Sequence, residues 1–259
     1  MPKRLSFQLY SARNFQPWEG VVEHIAACGY KEVEGFGGAE YGAKGTVFDD
    51  PVAFRALLDK HGLTMPTTHL MPLALFETDM KRVLQIGKTM GITYFYCPFV
   101  MPDERKNTAA YWKGFGKRCG EIAKRMHDEG YGFGWHNHDF EFKKLPDGSF
   151  PIDRIFEGGP LVDWEMDIGW TIFAKQNPVK WIKKYGERIT AVHVKENAHK
   201  GEHTDQMGQC DLGKGTGNWP EIFKALRDHS RCVTFVMEHD NLKDYKSWAK
   251  NSFNYISKI

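Results

Sequence analysis

Residues 111–138 read YWKGFGKRCGEIAKRMHDEGYGFGWHNH, and the spacing of the apolar residues changes part-way through. Trp112, Phe115, Cys119, Ile122 and Met126 fall at i, i+3, i+7, i+10 and i+14, one face of a helix. The aromatic run that follows, YGFGWHNH (131–138), has the length and composition of a strand. This helix-then-strand unit recurs along the chain. Further β-type runs stand at 4–10 (RLSFQLY), 31–36 (KEVEGF), 64–70 (TMPTTHL), 92–99 (ITYFYCPF), 161–169 (LVDWEMDIG), 189–196 (ITAVHVKE) and 232–239 (CVTFVMEH), eight in all. Each gap is long enough for a helix. Phe54, Leu57, Leu58 and His61 give a second helical stripe, Trp18, Val22 and Ile25 mark the first helix, and Tyr245, Trp248 and Ile256 a last one. Asp50-Pro51, Asn177-Pro178 and Trp219-Pro220 each set proline near a helix start, the first two behind a capping side chain. Eight strands alternating with helices over roughly 250 residues predict an α/β fold of the (β/α)8 barrel type. A doubly wound sheet is the alternative, but no GxGxxG follows the first strand and no GxxxxGK[ST] occurs.

Composition narrows the function classes. The 259 residues contain 41% hydrophobic and 26% charged side chains, enough for a sizeable core. No low-complexity tract or Pro/Gly linker divides them, so one domain over 1–259 is expected. A net charge of +2 does not suggest a nucleic-acid partner or an anionic membrane surface. MPKRLSFQLYSARN at the N-terminus lacks an apolar leader core, and no run approaches the ~18 apolar residues of a membrane span. The five cysteines are scattered, with no CxxC pair, which favours a reducing, cytoplasmic setting over a disulfide scaffold.

In such a barrel the chemistry sits at the C-terminal strand ends. Read in order, those ends carry Glu34, His69, Cys97-Pro98, then His136, His138 and Glu141, Asp167, then His193 and Lys195, and finally Glu238-His239-Asp240. Side chains alternate along a strand, so His136 pairs with His138, His193 with Lys195, and Glu238 with Asp240. Val162, Trp164 and Met166 take the parity opposite to Asp167. Carboxylates and imidazoles from strands five to eight must therefore converge. Alone, a strand-end Asp is commonly a helix cap and a lone His a satisfied core group. Four on consecutive strand ends would bury several charges at high cost without a cation. A mixed O/N donor set of this kind suits Mn²⁺, Co²⁺ or Mg²⁺ and tolerates Zn²⁺.

The succession HNHDFEF, MDIGW, HVKE, LGKGTGNW and MEHD resembles the xylose isomerase-like TIM barrel superfamily, the group of sugar phosphate isomerases/epimerases and inosose dehydratases. The likeness runs over essentially the whole chain, and the C-terminal half is the more specific part. It implies a Glu-Asp-His-Glu metal site with Asp167, His193 and Glu238 as three ligands, Mn²⁺ being the foremost cation. Many members carry the first glutamate inside strand five, where this chain has Trp135-His136-Asn137; Glu141, just beyond, is then the fourth ligand, with His136 or His138 the second choice. Trp170 stands where ketose 3-epimerases place a substrate-binding histidine, so the pattern is nearer the inosose dehydratases and the lyases or epimerases of 3-keto sugars.

The resemblance implies proton abstraction next to a carbonyl of a keto-sugar, leading to isomerisation or epimerisation, or, alternatively, to β-elimination from a 3-keto-glycoside or inosose. His138 or His136 is the expected base, with Glu141 and Glu238 as ligands that can double as bases. Lys195 is expected beside the metal as a donor to substrate oxygen, or else in a salt bridge to Asp167 or Glu141. Glu34, His69, Trp170 and His239 are expected substrate contacts, and Trp135, Trp170, Phe36 and Phe99 an apolar wall for the sugar ring. DLGKGTGNW (211–219) could cradle a phosphate. A non-catalytic sugar-binding subunit is the rival from another class; the third rival, a DNA-repair phosphodiesterase, needs a more basic face. The expected partner is a small carbohydrate, with a homo-oligomer or a small partner subunit compatible with the sequence.

Overall fold

The computed structural model describes residues 4–37 and 46–259. Its strands are β1 (Arg4–Gln8), β2 (Glu32–Gly37), β3 (Thr64–Leu70), β4 (Tyr94–Cys97), β5 (Gly132–His136), β6 (Asp163–Asp167), β7 (Ile189–Val194) and β8 (Thr234–Met237). They pair in parallel, each with the next, and β1 closes on β8 from Arg4↔Thr234 to Phe7↔Met237. The result is a closed eight-stranded barrel with helices between the strands, a single-domain TIM barrel. The helices are α1 (Trp18–Cys28), α2 (Pro51–Lys60), α3 (Leu73–Thr78), α4 (Met80–Met90), α5 (Ala109–Asp128), α6 (Pro151–Gly158), α7 (Ile168–Phe173), α8 (Pro178–Tyr185), α9 (Trp219–His229) and α10 (Tyr245–Ile256).

Local chemistry accounts for these elements. The apolar stripe from Trp112 to Met126 is buried along α5, as its period requires. Asp50 accepts the Ala53 amide at 3.0 Å, and Asn177 the Val179 amide at 2.9 Å, each capping a helix that begins with proline. Two crossovers hold a pair of short helices where one was expected: α3 and α4 after β3, α7 and α8 after β6. In the second, the carboxylate of Asp167 accepts the Trp170 amide at 2.7 Å, so α7 starts directly on the last residue of β6.

The outward strand faces carry Phe7, Val33, Phe95, Phe133, Trp135, Trp164, Val192 and Met237, all buried in the layer against the helices. The inside is different. TIM barrels commonly fill their axis with branched aliphatics, but here Gln8, Glu34, Thr67, His69, Tyr96, His136, Glu165, Asp167, His193 and Glu238 are buried polar groups. Two tyrosines close the lower part: Tyr94 and Tyr96 stack with centroids 5.7 Å apart, and the Tyr96 hydroxyl meets Thr190 Oγ1 at 2.8 Å. Gly132 and Gly134 make room for them. A Cβ on Gly132 would lie 2.2 Å from the Tyr94 ring, and one on Gly134 2.8 Å from Tyr96.

Candidate active site

The charged layer lies above this tyrosine floor. His136 ends β5, Asp167 ends β6, His193 lies near the end of β7, and Glu238 follows β8 directly. Each offers one donor atom to a common space, with all four atoms within 4.8 Å of one another and all four residues buried. The closest approach is His193 Nδ1 to Glu238 Oε2, 2.8 Å; Asp167 Oδ2 stands 3.8 Å from His136 Nε2 and 3.9 Å from His193 Nδ1. One Asp167 oxygen is spent on capping α7, whereas the other, Oδ2, makes no hydrogen bond and is buried facing the Lys195 ammonium at 3.1 Å. Two carboxylates and two imidazoles whose donor atoms converge in this way form a mixed O/N set that could hold a divalent cation.

Glu141, the expected fourth ligand, is not part of this group. β5 ends at His136, and a single 3₁₀ turn, Phe140–Phe142, carries Glu141 back under the strand. There its carboxylate accepts the Trp135 indole at 2.9 Å and the His138 amide at 2.9 Å. Burial pushes its pKa up to about 8 against those donors. Glu141 thus ties the loop after β5, and the structure groups His136 with Asp167, His193 and Glu238.

Lys195 is buried among carboxylates. Its Nζ lies 3.1 Å from Asp167 Oδ2, 2.8 Å from Glu238 Oε2 and 2.8 Å from Asp240 Oδ2, and 4.9 Å from the centre of the Trp170 ring. Burial disfavours the ammonium, but Asp167, Asp240 and Glu238 outweigh it and hold the group charged. The carboxylates respond in turn. Burial would raise Glu238, yet Lys195 and His193 hold it well below the ordinary range. Burial wins at Asp167, pushed up to about 6 despite Lys195. In the cation-free protein, Glu165, Glu238 and Glu34 raise the pKa of His193 against its burial.

A cavity of about 280 Å³ opens above the layer. His69, His136, His138, Glu238 and Asp240 form its polar side. Met71, Pro98, Phe99 and Met101 form an apolar side, with Tyr10 also lining it. His138 has left the strand, and its ring packs 5.1 Å from Phe99 and 5.4 Å from Trp170. Its Nδ1 is buried without a partner, and burial together with Lys195 pushes its pKa down to about 3, so the ring is neutral.

Several expected contacts lie elsewhere. His239 faces outward: its Nδ1 accepts the Asn241 amide at 3.1 Å and its ring packs on Trp248. Alternation explains this, because Glu238 and Asp240 take the inward parity. Glu34 sits below the cavity, its Oε1 2.7 Å from His193 Nε2 and 2.8 Å from Gln8 Nε2. Trp135 packs outward on Phe115, and Phe36 between Tyr10 and Trp18, so neither walls the cavity. The glycine-rich loop already holds an anion of its own. Glu196 accepts the amides of Gly213 at 3.0 Å and Gly217 at 2.9 Å and the Trp219 indole at 2.5 Å.

Two buried groups escaped the sequence reading. Glu165 lies two residues before Asp167 on the same face of β6, and its Oε2 meets His69 Nε2 at 2.5 Å and His136 Nδ1 at 3.1 Å. The alternation that put Trp164 and Met166 outside also puts Glu165 inside, so the signal was present. Asn137 is a second: its Oδ1 accepts the Trp164 indole and the Asp167 amide at 2.9 and 3.0 Å, locking β5 to β6 beside the site.

Fold and site define a barrel enzyme scaffold with a carboxylate–imidazole centre at the C-terminal mouth, and the chain belongs to the xylose isomerase-like TIM barrel family, whose profile matches residues 22–259. A sugar phosphate isomerase/epimerase from Parabacteroides distasonis superposes with a TM-score of 0.82 at 21% identity, over 99% of this chain and 94% of that one. The probable 3-DHS dehydratase AsbF of Bacillus anthracis, involved in petrobactin synthesis, superposes with a TM-score of 0.73 at 12% identity, over 99% of each chain. A curated relative, the rhizopine catabolism protein MocC of Rhizobium meliloti, is 23% identical over 138 residues. That match spans 53% of this chain and only 41% of the relative. No helix among the described residues is long and apolar enough to cross a membrane.

Proposed function

We propose that this protein is a divalent-metal-dependent sugar isomerase or epimerase that removes a proton next to a carbonyl of a keto-sugar. The observation that carries the reading is the convergence of His136, Asp167, His193 and Glu238 beneath a cavity with one polar and one apolar side. These four residues would hold the cation, with Mn²⁺ suited to the mixed donors. Bound there, it would supply Lewis acidity toward carbonyl and hydroxyl oxygens.

The chain's own groups divide the remaining roles. Phe99, Met71 and Pro98 offer an apolar surface to the carbon face of a sugar ring. His138 lines the cavity with an Nδ1 that makes no hydrogen bond, and it receives the proton. His136 cannot serve as that base, because its Nδ1 is engaged by Glu165 and its Nε2 faces Asp167. Lys195, fixed as an ammonium, stabilises negative charge developing on a substrate oxygen.

A second reading, β-elimination from a keto-glycoside or inosose, is favoured by Tyr10. Its phenol lines the cavity, and burial raises its pKa, so it stays protonated as a general acid for a departing alkoxide. The test is proton NMR of keto-sugars and keto-glycosides incubated with the Mn²⁺-loaded protein in D₂O. Deuterium should enter the carbon beside the carbonyl; accompanying release of an aglycone or water selects the lyase. Absence of exchange in every sugar tried refutes both readings.

A further inference from the structure

Below the cation-binding group lies a layer of carboxylates that neither reading of the reaction uses. Glu165 and Glu34 are fully buried, and each sits against a ring whose other nitrogen faces the site. His136 turns Nδ1 to Glu165 Oε2 at 3.1 Å and Nε2 toward Asp167. His193 turns Nε2 to Glu34 Oε1 at 2.7 Å and Nδ1 to Glu238. Gln8 donates to the same Glu34 oxygen at 2.8 Å, and His69 Nε2 reaches the same Glu165 oxygen at 2.5 Å, so both carboxylates are held in place.

The lower atoms could be taken for a second cation site, since His69, His136, His193 and Glu165 also converge within 4.8 Å. Ring chemistry argues against filling both. A neutral imidazole has one lone pair and one N–H. His136 and His193 belong to both sets, so joint occupancy would require each to lose its second proton and become an anion. Two further negative charges would then be added to a layer that already buries Glu34, Glu165, Asp167 and Glu238. The rings therefore serve one set with a lone pair and the other with a proton.

We propose that Glu165 and Glu34 are positioning residues that select which nitrogen of each histidine binds the cation: Nε2 of His136, with Nδ1–H donated to Glu165, and Nδ1 of His193, with Nε2–H donated to Glu34. The two rings thus present opposite nitrogens to one ion. A carboxylate behind a ligating imidazole fixes the tautomer and raises the basicity of the coordinating nitrogen. Glu165 has a further effect, because its anchoring of His69 orients a ring that lines the cavity.

This inference rests on the cation site of the proposed function, and its test separates the two. Mn²⁺ binding to the full-length protein is measured by titration calorimetry, and the ring tautomers by ¹⁵N–¹H correlation through the imidazole carbons in the Zn²⁺-loaded, diamagnetic protein. Expected are the Nδ1–H form of His136, the Nε2–H form of His193, and Mn²⁺ binding about tenfold to hundredfold weaker in Glu165→Gln and in Glu34→Gln. Asp163→Asn is the control. It removes another inward carboxylate of β6, one bound to Tyr94 at 2.9 Å and Arg231 at 2.5 Å well below the layer, and should leave Mn²⁺ affinity unchanged. The opposite tautomer at either ring, two cations per chain, or equal loss in the Asp163 control overturns the proposal. Those outcomes leave the catalytic reading standing, whereas wild-type protein that binds no cation overturns both. The tautomer measurement needs no variant, so it decides even where a substitution prevents folding.

Discussion

Replacing Lys195 by methionine should weaken the cation-free protein and strengthen Mn²⁺ binding at the proposed cation site. The ammonium lies 3.1, 2.8 and 2.8 Å from carboxylate oxygens of Asp167, Glu238 and Asp240, and its side chain is 1% exposed. Methionine fills similar volume without the charge, which strands three carboxylates around it. Removing one partner of a buried ion pair typically costs about 3–5 kcal/mol. The upper end applies here, tempered because Asp167, with its pKa already near 6, can take up a proton. The same ammonium repels a cation held by Asp167 and Glu238. At about 5 Å and an effective dielectric near 20, one positive charge opposes a divalent ion by several kcal/mol before relaxation. We therefore expect Mn²⁺ to bind at least about tenfold more tightly, some 1.4 kcal/mol, in Lys195→Met. Urea unfolding with and without saturating Mn²⁺ reads both effects, since a ligand adds RT ln(1 + [L]/Kd) to stability. The stability gap between wild type and variant should narrow when Mn²⁺ is present. A variant as stable as wild type without Mn²⁺, or one that binds Mn²⁺ more weakly, would refute the electrostatic account.

Three further outcomes follow from the geometry. Glu141, with its pKa raised to about 8 by burial, favours the folded state in its protonated form; that contribution is complete below the ordinary carboxyl pKa and is lost as pH rises toward 8. The stability difference between wild type and Glu141→Gln should accordingly shift by up to a few kcal/mol between pH 5 and about 8, and a pH-independent difference refutes it. His138→Gln should retain Mn²⁺ binding while kcat for deuterium exchange falls about 10²–10⁴-fold, as loss of a general base predicts; an unchanged rate would move the base elsewhere. Glu196→Ala should leave the Gly213 and Gly217 amides and the Trp219 indole unpaired, costing about 1–3 kcal/mol and speeding hydrogen exchange at both glycines, which mass spectrometry can locate.

The barrel was legible because its signals are local. Strand-length runs, helical stripes such as Trp112–Met126 and proline-led helix starts at Asp50 and Asn177 depend on neighbours in sequence, and the structure keeps each of them. Alternation also placed Asp167, His193, Lys195 and Glu238 together. It failed after β5, where the chain turns out of the extended path. Glu141 belongs to a 3₁₀ turn, whose direction no period-two rule can give, and its carboxylate is drawn to the Trp135 indole made available by the outward face. Glu165 was missed for the opposite reason: it obeys alternation, but its importance comes from rings on β3, β5 and β7 that only barrel closure brings to it. The glycine-rich loop likewise depends on a distant residue. Its amides do gather an anion, and that anion is Glu196, seventeen positions before Gly213.

The Glu196 clamp bears on how this scaffold could change its diet over evolutionary time. Two backbone amides and an indole N–H already point at one oxygen-bearing group, and only the tether of that group to the chain makes it structural. Shortening residue 196 would turn an occupied internal receptor into a vacant one for small oxyanions from solution, with no new donor needing to be invented. Formate or phosphate added to such a variant should restore part of the lost stability. The step from a loop that is merely buttressed to one that senses or selects anionic metabolites is thus a single side chain wide.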